Sequence, residues 1–219
     1  MEDPKENYLK TIVKLQKGGE HVKPTLIAEA LGVTPSAVTD MAKTLQKDGH
    51  VDYVPYQGVR LTVKGQMKGL TMIRRHRIWE LYLHKVLGYS WDQVHEEAEM
   101  LEHASTDTLI NKLEEVLQYP LYDPHGDPIP SKTGQLPPQR DFIMLSAVAP
   151  GTCVTVLRVN DHDDGFLRYL DEIGVHIQGQ IEVKEKRDFD QSISVEIDGN
   201  QISLSHFAAQ NIFVTKEES

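Results

Sequence analysis

Between residues 24 and 62 the chain is punctuated so closely that few folds satisfy it. Pro24 opens a short apolar run, Thr25–Leu31, that Gly32 stops. Thr34-Pro35-Ser36 begins the next, with Thr34 suited to a helix N-cap and Pro35 to the first helical position. This second run places Val38, Met41, Ala42 and Leu45 at helical spacing and ends at Gly49. Two β-rich segments follow, Val51–Pro55 and Val59–Thr62, separated by Tyr56-Gln57-Gly58, a hairpin signal. A short helix, a turn, a second helix with a polar start and a hairpin together predict a winged helix-turn-helix. Ahead of it, Asn7–Lys17 carries Tyr8, Leu9, Ile12, Val13 and Leu15 and closes on Gly18-Gly19, which predicts a first helix.

A small helical bundle with no nucleic-acid role would share this periodicity, and the charge distribution decides between them. The whole chain is acidic, net −10 over 219 residues. Residues 1–75 nevertheless hold 12 Lys/Arg against 8 Asp/Glu, whereas 76–141 hold 5 against 12 and 142–219 hold 6 against 13. A basic head on an acidic body fits a chain whose head alone meets phosphate. In a helix-turn-helix the start of the second helix meets base edges, here Thr34, Ser36, Ala37, Thr39 and Asp40. Lys43 and Lys47 further along, and Arg60 in the wing, are placed for phosphates. Asp40 either accepts from a cytosine amino group or orients a neighbour.

From Val63 a helical pattern runs to Leu87 through Met67, Leu70, Ile73, Ile78, Leu81 and Val86, stopped by Gly88. It includes His76 and Glu80, four apart and therefore on one face, which suits either a ligand pair or a surface hydrogen bond. Ser90 or Asp92 starts the next helix, which contains His95-Glu-Glu-Ala-Glu-Met-Leu-Glu-His103. At about 100° per residue, His95, Glu99, Glu102 and His103 share roughly a quarter of its circumference. Val94, Ala98 and Leu101 form the adjacent core-facing stripe. That is a candidate divalent-metal face, although acidic faces bearing an occasional His are commonly just solvated. The zinc-protease pattern His-Glu-x-x-His fails, because Glu99 stands in the second His position. Thr106–Leu117 predicts one more amphipathic helix, and these helices suit packing and dimerisation.

Tyr119–Pro138 contains six prolines and reads as a linker, with His125 structural. From about Met144 the texture turns to short β-like runs: Val154–Val159, Gln180–Glu185, Ser192–Ile197 and Gln201–Ser205, with Asp198-Gly199-Asn200 as a hairpin turn. A small barrel of the SH3 kind follows, with a helical turn near Gly165–Ile173. The single cysteine, Cys153, excludes a disulfide framework, and its neighbours Val154 and Val156 suggest a buried strand residue. No segment reaches the apolar length of a membrane span and the N-terminus lacks signal-peptide features, so a cytoplasmic protein without membrane partners is expected. The fold expected is mainly α with a small β domain, divided at 1–65, 66–141 and 142–219.

In this order and spacing the motifs resemble the iron- and manganese-dependent metalloregulators of the diphtheria-toxin-repressor family. The likeness runs from Glu6-Asn7-Tyr8-Leu9-Lys10 through the winged helix, Arg75-His76-Arg77 with Glu80, Val94–Ala98 and Leu101-Glu102-His103. It continues to His125-Gly126-Asp127-Pro128-Ile129-Pro130. It is strongest to manganese-type members that keep a C-terminal SH3-like (FeoA-like) domain. The resemblance implies a homodimeric repressor that binds palindromic double-stranded operator DNA when metal is bound, with metal-uptake genes as targets. It implies a primary site of Asn7, Glu99, Glu102 and His103, and a second of His76, Glu80 and His95 completed by an SH3-domain carboxylate, Asp161 or alternatively Asp164. Iron-type members place Cys at the position of Glu99 and Met at that of Asn7, and manganese-type members often have Asp at the latter. Oxygen-rich ligands with one imidazole suit Mn²⁺, with Fe²⁺ tolerable and Zn²⁺ or Co²⁺ able to substitute in vitro. Two other readings compete: a di-metal carboxylate/histidine metalloenzyme, and a DNA-binding module in which metal is incidental. No second Glu-x-x-His in the helical region, nucleophile motif or phosphate loop supports the enzyme.

Overall fold

The computed structural model describes residues 4–161 and 163–215; the last four residues of the expected C-terminal domain, and the first three of the chain, lie outside them. Three helices, α1 (Pro4–Leu15), α2 (Pro24–Leu31) and α3 (Pro35–Lys47), precede the hairpin β1 (Val51–Val54) and β2 (Gly58–Leu61). The Thr34 hydroxyl accepts from Ala37 N at 3.3 Å, which fixes where α3 begins. Val22 pairs with Val59 through two backbone hydrogen bonds of 2.7 and 2.9 Å and so ties the α1–α2 connection to the wing. Leu9, Ile12, Ile27, Val38, Leu45, Val51 and Val59 form one core beneath these elements.

The long helix α4 (Val63–Leu87) joins this head to the helical body. The Thr62 side chain caps its start, accepting from Gly65 N at 3.1 Å. Its first half receives α1 at a very close crossing. A Cβ on Gly69 would sit 2.5 Å from Val13 Cγ2 and 2.8 Å from Leu9 O, so only glycine lets the two backbones meet. Its second half packs against α5 (Val94–Ala104) and α6 (Asp107–Val116) through Ile78, Leu81, Ile110 and Leu113, and through Leu83, Val94 and Ala98.

The last third is a six-stranded antiparallel sheet in the order β3-β8-β4-β5-β6-β7. Its strands are β3 (Phe142–Met144), β4 (Cys153–Val159), β5 (Gln180–Lys186), β6 (Ile193–Ile197), β7 (Asn200–Leu204) and β8 (Ile212–Thr215). Helix α7 (Asp164–Glu172) and a five-residue helix, α8 (His206–Gln210), pack against it. Its core of Val154, Val156, Leu167, Leu170, Ile181, Val195 and Val214 also takes in Trp91, which comes from the α4–α5 connection. The body is thus plugged into the barrel by an aromatic side chain.

Three details depart from expectation. Helix α5 starts at Val94 rather than at Ser90 or Asp92. The Ser90 hydroxyl donates to Asp92 Oδ1 at 2.6 Å, and Asp92 reaches across to Arg168 of α7 at 3.1 Å instead of capping. Cys153 is exposed, not buried. Strand alternation explains it, since Val154 and Val156 point into the core and Cys153 has the opposite parity. Strands β3 and β8 had no clear signal: the three residues of β3 are too few to show a period.

The proline-rich connection is ordered by salt bridges rather than by regular structure. Arg77 meets Asp123 at 3.3 Å and Asp127 at 3.7 Å and donates to Pro128 O. Arg158 of β4 meets Asp127 at 2.8 Å, and Val159 N donates to His125 O at 2.9 Å. Gly126, at φ +93°, lets this loop touch β4: a Cβ there would lie 2.1 Å from Leu157 O.

Candidate metal centre and DNA-facing surface

Helices α1, α4 and α5 and the proline-rich loop converge on one cluster of titratable side chains. Glu102 on α5 is fully buried, and its two oxygens face different partners. Oε2 meets His76 Nδ1 at 2.6 Å, while Oε1 meets Lys10 Nζ at 2.7 Å. Lys10 also holds Glu99 Oε2 at 2.6 Å. The far nitrogen of His76 lies 2.9 Å from Glu80 Oε1 and 3.1 Å from His95 Nδ1. One imidazole ring therefore connects the two ligand groups that the resemblance keeps apart.

His103 points into the same region from the last turn of α5. Its Nδ1 is held by Glu6 of α1 at 2.7 Å, which leaves Nε2 buried, without a hydrogen-bond partner and 3.5 Å from Glu102 Oε1. A His whose one nitrogen is fixed by a carboxylate presents the other as a ready ligand. Asn7 Oδ1 is likewise buried without a partner. Buried acceptors are rarely left unsatisfied. Of these two atoms His103 Nε2 lies beside Glu102, but the close ligand group there is His76, Glu99 and Glu102, which among the described residues His103 does not join.

A further group lies below. Single ligand atoms of Glu80, Asp123 and His125 lie within 4.8 Å of one another, as do those of His76, Glu80 and His95, and of His76, Glu99 and Glu102. His125 is fully buried, and its Nδ1 is another buried atom with no partner. Asp123 Oδ1 accepts from the backbone of His125 and Asp127, at 2.9 Å each. Among the described residues, Asp161 and Asp164 join none of these three groups. The carboxylate that joins Glu80 is Asp123, from the loop.

Electrostatics follow from the packing. Burial alone depresses the pKa of His76, but Glu80 and Glu102 outweigh it and push the imidazole up to about 9. Burial would raise Glu80, yet His76 and His95 hold it well below the usual carboxylate range. Asp123 is pushed well above that range by burial and by the neighbouring Glu80 charge, against the opposing pull of Arg77. Burial would likewise raise Glu99, and Lys10 more than compensates, leaving it lowered. Carboxylates and imidazoles, with no thiol or thioether in any of the three groups, make a donor set for a hard or borderline divalent ion.

In the head, Thr34, Ser36, Ala37, Asp40, Lys43 and Lys47 are exposed at the start of and along α3. Thr39 is half-buried, its hydroxyl donating to Pro35 O at 3.0 Å. Asp40 pairs with Lys43 at 3.1 Å, and Arg60 pairs with Asp52 across the wing at 3.0 Å. The wing tip carries a fully exposed Tyr56 at φ +66°. Glu6, Lys10, Asp123 and Tyr56 have no functional role in the sequence reading, which takes His125 as structural. The Glu6/Lys10 spacing of four on α1 was the one available signal, and it does not say which helix the pair faces.

Comparison with known proteins agrees with this arrangement. Residues 1–59 match the iron dependent repressor N-terminal DNA binding domain, 62–131 the iron dependent repressor metal binding and dimerisation domain, and 143–216 the FeoA domain. The iron-dependent repressor IdeR of Mycobacterium tuberculosis is 30% identical over 187 residues, covering 83% of this chain and 76% of its own. A solved manganese-dependent transcriptional repressor in complex with manganese is 40% identical, with a TM-score of 0.84 over 96% of this chain and 98% of its own. ScaR with bound Zn²⁺ is 34% identical, with a TM-score of 0.74 over 97% of this chain and 99% of its own. A basic winged helix, a helical body lined with buried carboxylates and imidazoles, and a relative matched across most of both chains lead to one assignment: the chain belongs to the iron-dependent repressor family of metal-dependent, DNA-binding transcriptional regulators.

Proposed function

We propose that the chain represses transcription as a homodimer whose hold on palindromic operator DNA requires Mn²⁺, with Fe²⁺ able to serve. Asn7, Glu99, Glu102 and His103 would hold the primary ion. His76 and Glu80, with His95 on one side or Asp123 and His125 on the other, would hold the second; Asp161 stays in reserve as a ligand from the barrel. A bound dication supplies fixed positive charge that several carboxylates share. The carrying observation is that Asn7 Oδ1 on α1 and His103 Nε2 on α5 are both buried without hydrogen-bond partners.

The chemistry of regulation then rests on the protein's own elements. Asn7 sits on α1, in the head, and Glu99, Glu102 and His103 on α5, in the body. Drawing all of them to one point fixes the head against the body and so sets the distance between the two α3 helices of a dimer. Half-sites one turn apart accept only a narrow range of that distance. Thr34, Ser36, Ala37, Thr39 and Asp40 would read bases, with Lys43, Lys47 and Arg60 on phosphates. Exposed Val86, Leu87, Met100, Leu109 and Val116 give the body the apolar surface a second copy would cover. No helix among the described residues is long and apolar enough to cross a membrane. A cytoplasmic regulator of metal-uptake genes is the corresponding cellular role.

Operator binding followed by fluorescence anisotropy during anaerobic Mn²⁺ titration tests the proposal. Wild type should show saturable activation, at least about 5- to 150-fold for an allosteric coupling of ordinary size. Glu102→Ala should remain a folded dimer and lose that activation. Retention of full Mn²⁺-dependent binding by Glu102→Ala would falsify the primary-site assignment.

A further inference from the structure

Lys10 places a cation where the primary site would place its own. The residue is 6% exposed, and its Nζ sits 2.6 Å from Glu99 Oε2 and 2.7 Å from Glu102 Oε1. Hard divalent ions sit about 2.0–2.6 Å from their oxygen ligands. An ion on those two oxygens would occupy nearly the same point as the ammonium, and two cations cannot share it. The remaining oxygen of Glu102 is already taken by His76 at 2.6 Å. Access to Glu99 and Glu102 together therefore requires that Lys10 leave.

We infer that Lys10 is a built-in competitor of the metal, and that activation exchanges one α1–α5 latch for another. The inference rests on the primary-site reading above. Lys10 and Asn7 are three apart on α1 and so share a face. The helix can grip α5 through the Lys10 ammonium, or through the Asn7 carbonyl and an ion common to both helices, but not both at once. The head is then held in either condition, in two different positions, and does not swing free when metal is removed. This changes what the metal accomplishes: it redirects an existing link rather than creating one. It also sets the threshold, because apparent affinity falls by the fraction of molecules in which the competing group has left. Lys10 needs only to move. His103 is not disturbed by that move, because Glu6 holds it independently at 2.7 Å and is itself paired with Lys68 at 2.5 Å.

Mn²⁺ binding by calorimetry is compared among wild type, Lys10→Met, Lys10→Arg and Glu102→Ala. In wild type, acylation of the Lys10 amine is also followed by mass spectrometry with and without saturating Mn²⁺. Lys10→Met should bind at the site lost in Glu102→Ala at least about tenfold more tightly, equivalent to about 1.4 kcal/mol. Lys10→Arg, which keeps the charge, should stay near wild type, and Lys10 acylation should rise severalfold with Mn²⁺. Unchanged or weaker affinity in folded Lys10→Met, or equal acylation with and without metal, overturns the inference. Should Lys10→Met not fold, the labelling of wild type decides. Wild-type Mn²⁺ binding by Glu102→Ala would remove the primary-site reading and the competitor with it. Loss of a site in Glu102→Ala alongside unchanged Lys10→Met would remove the competitor alone.

Discussion

Glu102 has no exposed surface, so every charge near it must be balanced inside the protein. Lys10 and protonated His76 provide that balance, one at each oxygen. The pH dependence follows from His76, whose pKa of about 9 stands above the ordinary 6.5. A group raised on folding stabilises the fold fully below its unfolded value and loses that contribution as pH rises through the folded one. Chelator-treated protein should therefore lose stability between pH 6.5 and about 9, by an amount of order 3 kcal/mol from His76. Ligation by His76 requires a free nitrogen, so Mn²⁺ binding in that window should release a proton and strengthen as pH rises. Calorimetry in buffers of different ionisation enthalpy measures the proton directly. No proton released at pH 7.5, or as many released by His76→Gln as by wild type, would remove His76 from the ligand set. The sequence displayed His76, Glu80 and the His95–His103 face because each is local, within one helix. It hid Lys10, whose partners lie 89 and 92 residues away and whose spacing on α1 looks like any solvated lysine.

Among the elements, α4 carries the most information. Its bounds, Val63–Leu87, were readable because Gly88 and a long apolar period mark them. What the period cannot reveal is how near another backbone comes. At Gly69 the α1 backbone is close enough that a methyl group would meet Leu9 O at 2.8 Å. Gly69→Ala gains about 1 kcal/mol of helix propensity but must push α1 away, and overpacking costs about 1–3 kcal/mol. The net expectation is a modest loss in urea unfolding together with weaker Mn²⁺ binding, although no ligand is touched, because α1 carries Asn7. Unaltered Mn²⁺ affinity in this variant would mean that α1 position and metal binding are not coupled. Helix α5 shows the reverse difficulty: its candidate His95–His103 face is plain in the sequence, yet its start is not, since Ser90 and Asp92 look like caps and in fact bind each other and Arg168.

At the scale of the molecule, the division into a basic head, an acidic helical body and a β-rich end was visible in charge and texture, whereas the docking between them was not. Docking depends on single side chains that cross boundaries. Trp91 leaves the body and is counted among the barrel's own core, and its ring also meets His125 edge-on, with centroids 5.8 Å apart. The loop holding Asp123 and His125 is thus pressed between Arg77 on one side and the barrel on the other. The barrel consequently supports the lower ligand group by position, through backbone contact at Val159 and packing at Trp91, even with Asp161 outside the clusters. Trp91→Ala tests this directly. Removing so large a buried side chain typically costs about 3–5 kcal/mol, and here the loss should fall on the body–barrel junction. Trypsin should then cut faster at Lys132 and Arg140, and Mn²⁺ titration should lose the event of the lower ligand group while the event abolished by Glu102→Ala persists. If both events weaken equally, the barrel acts on the head–body junction as a whole, and the lower ligand group has no separate dependence on it.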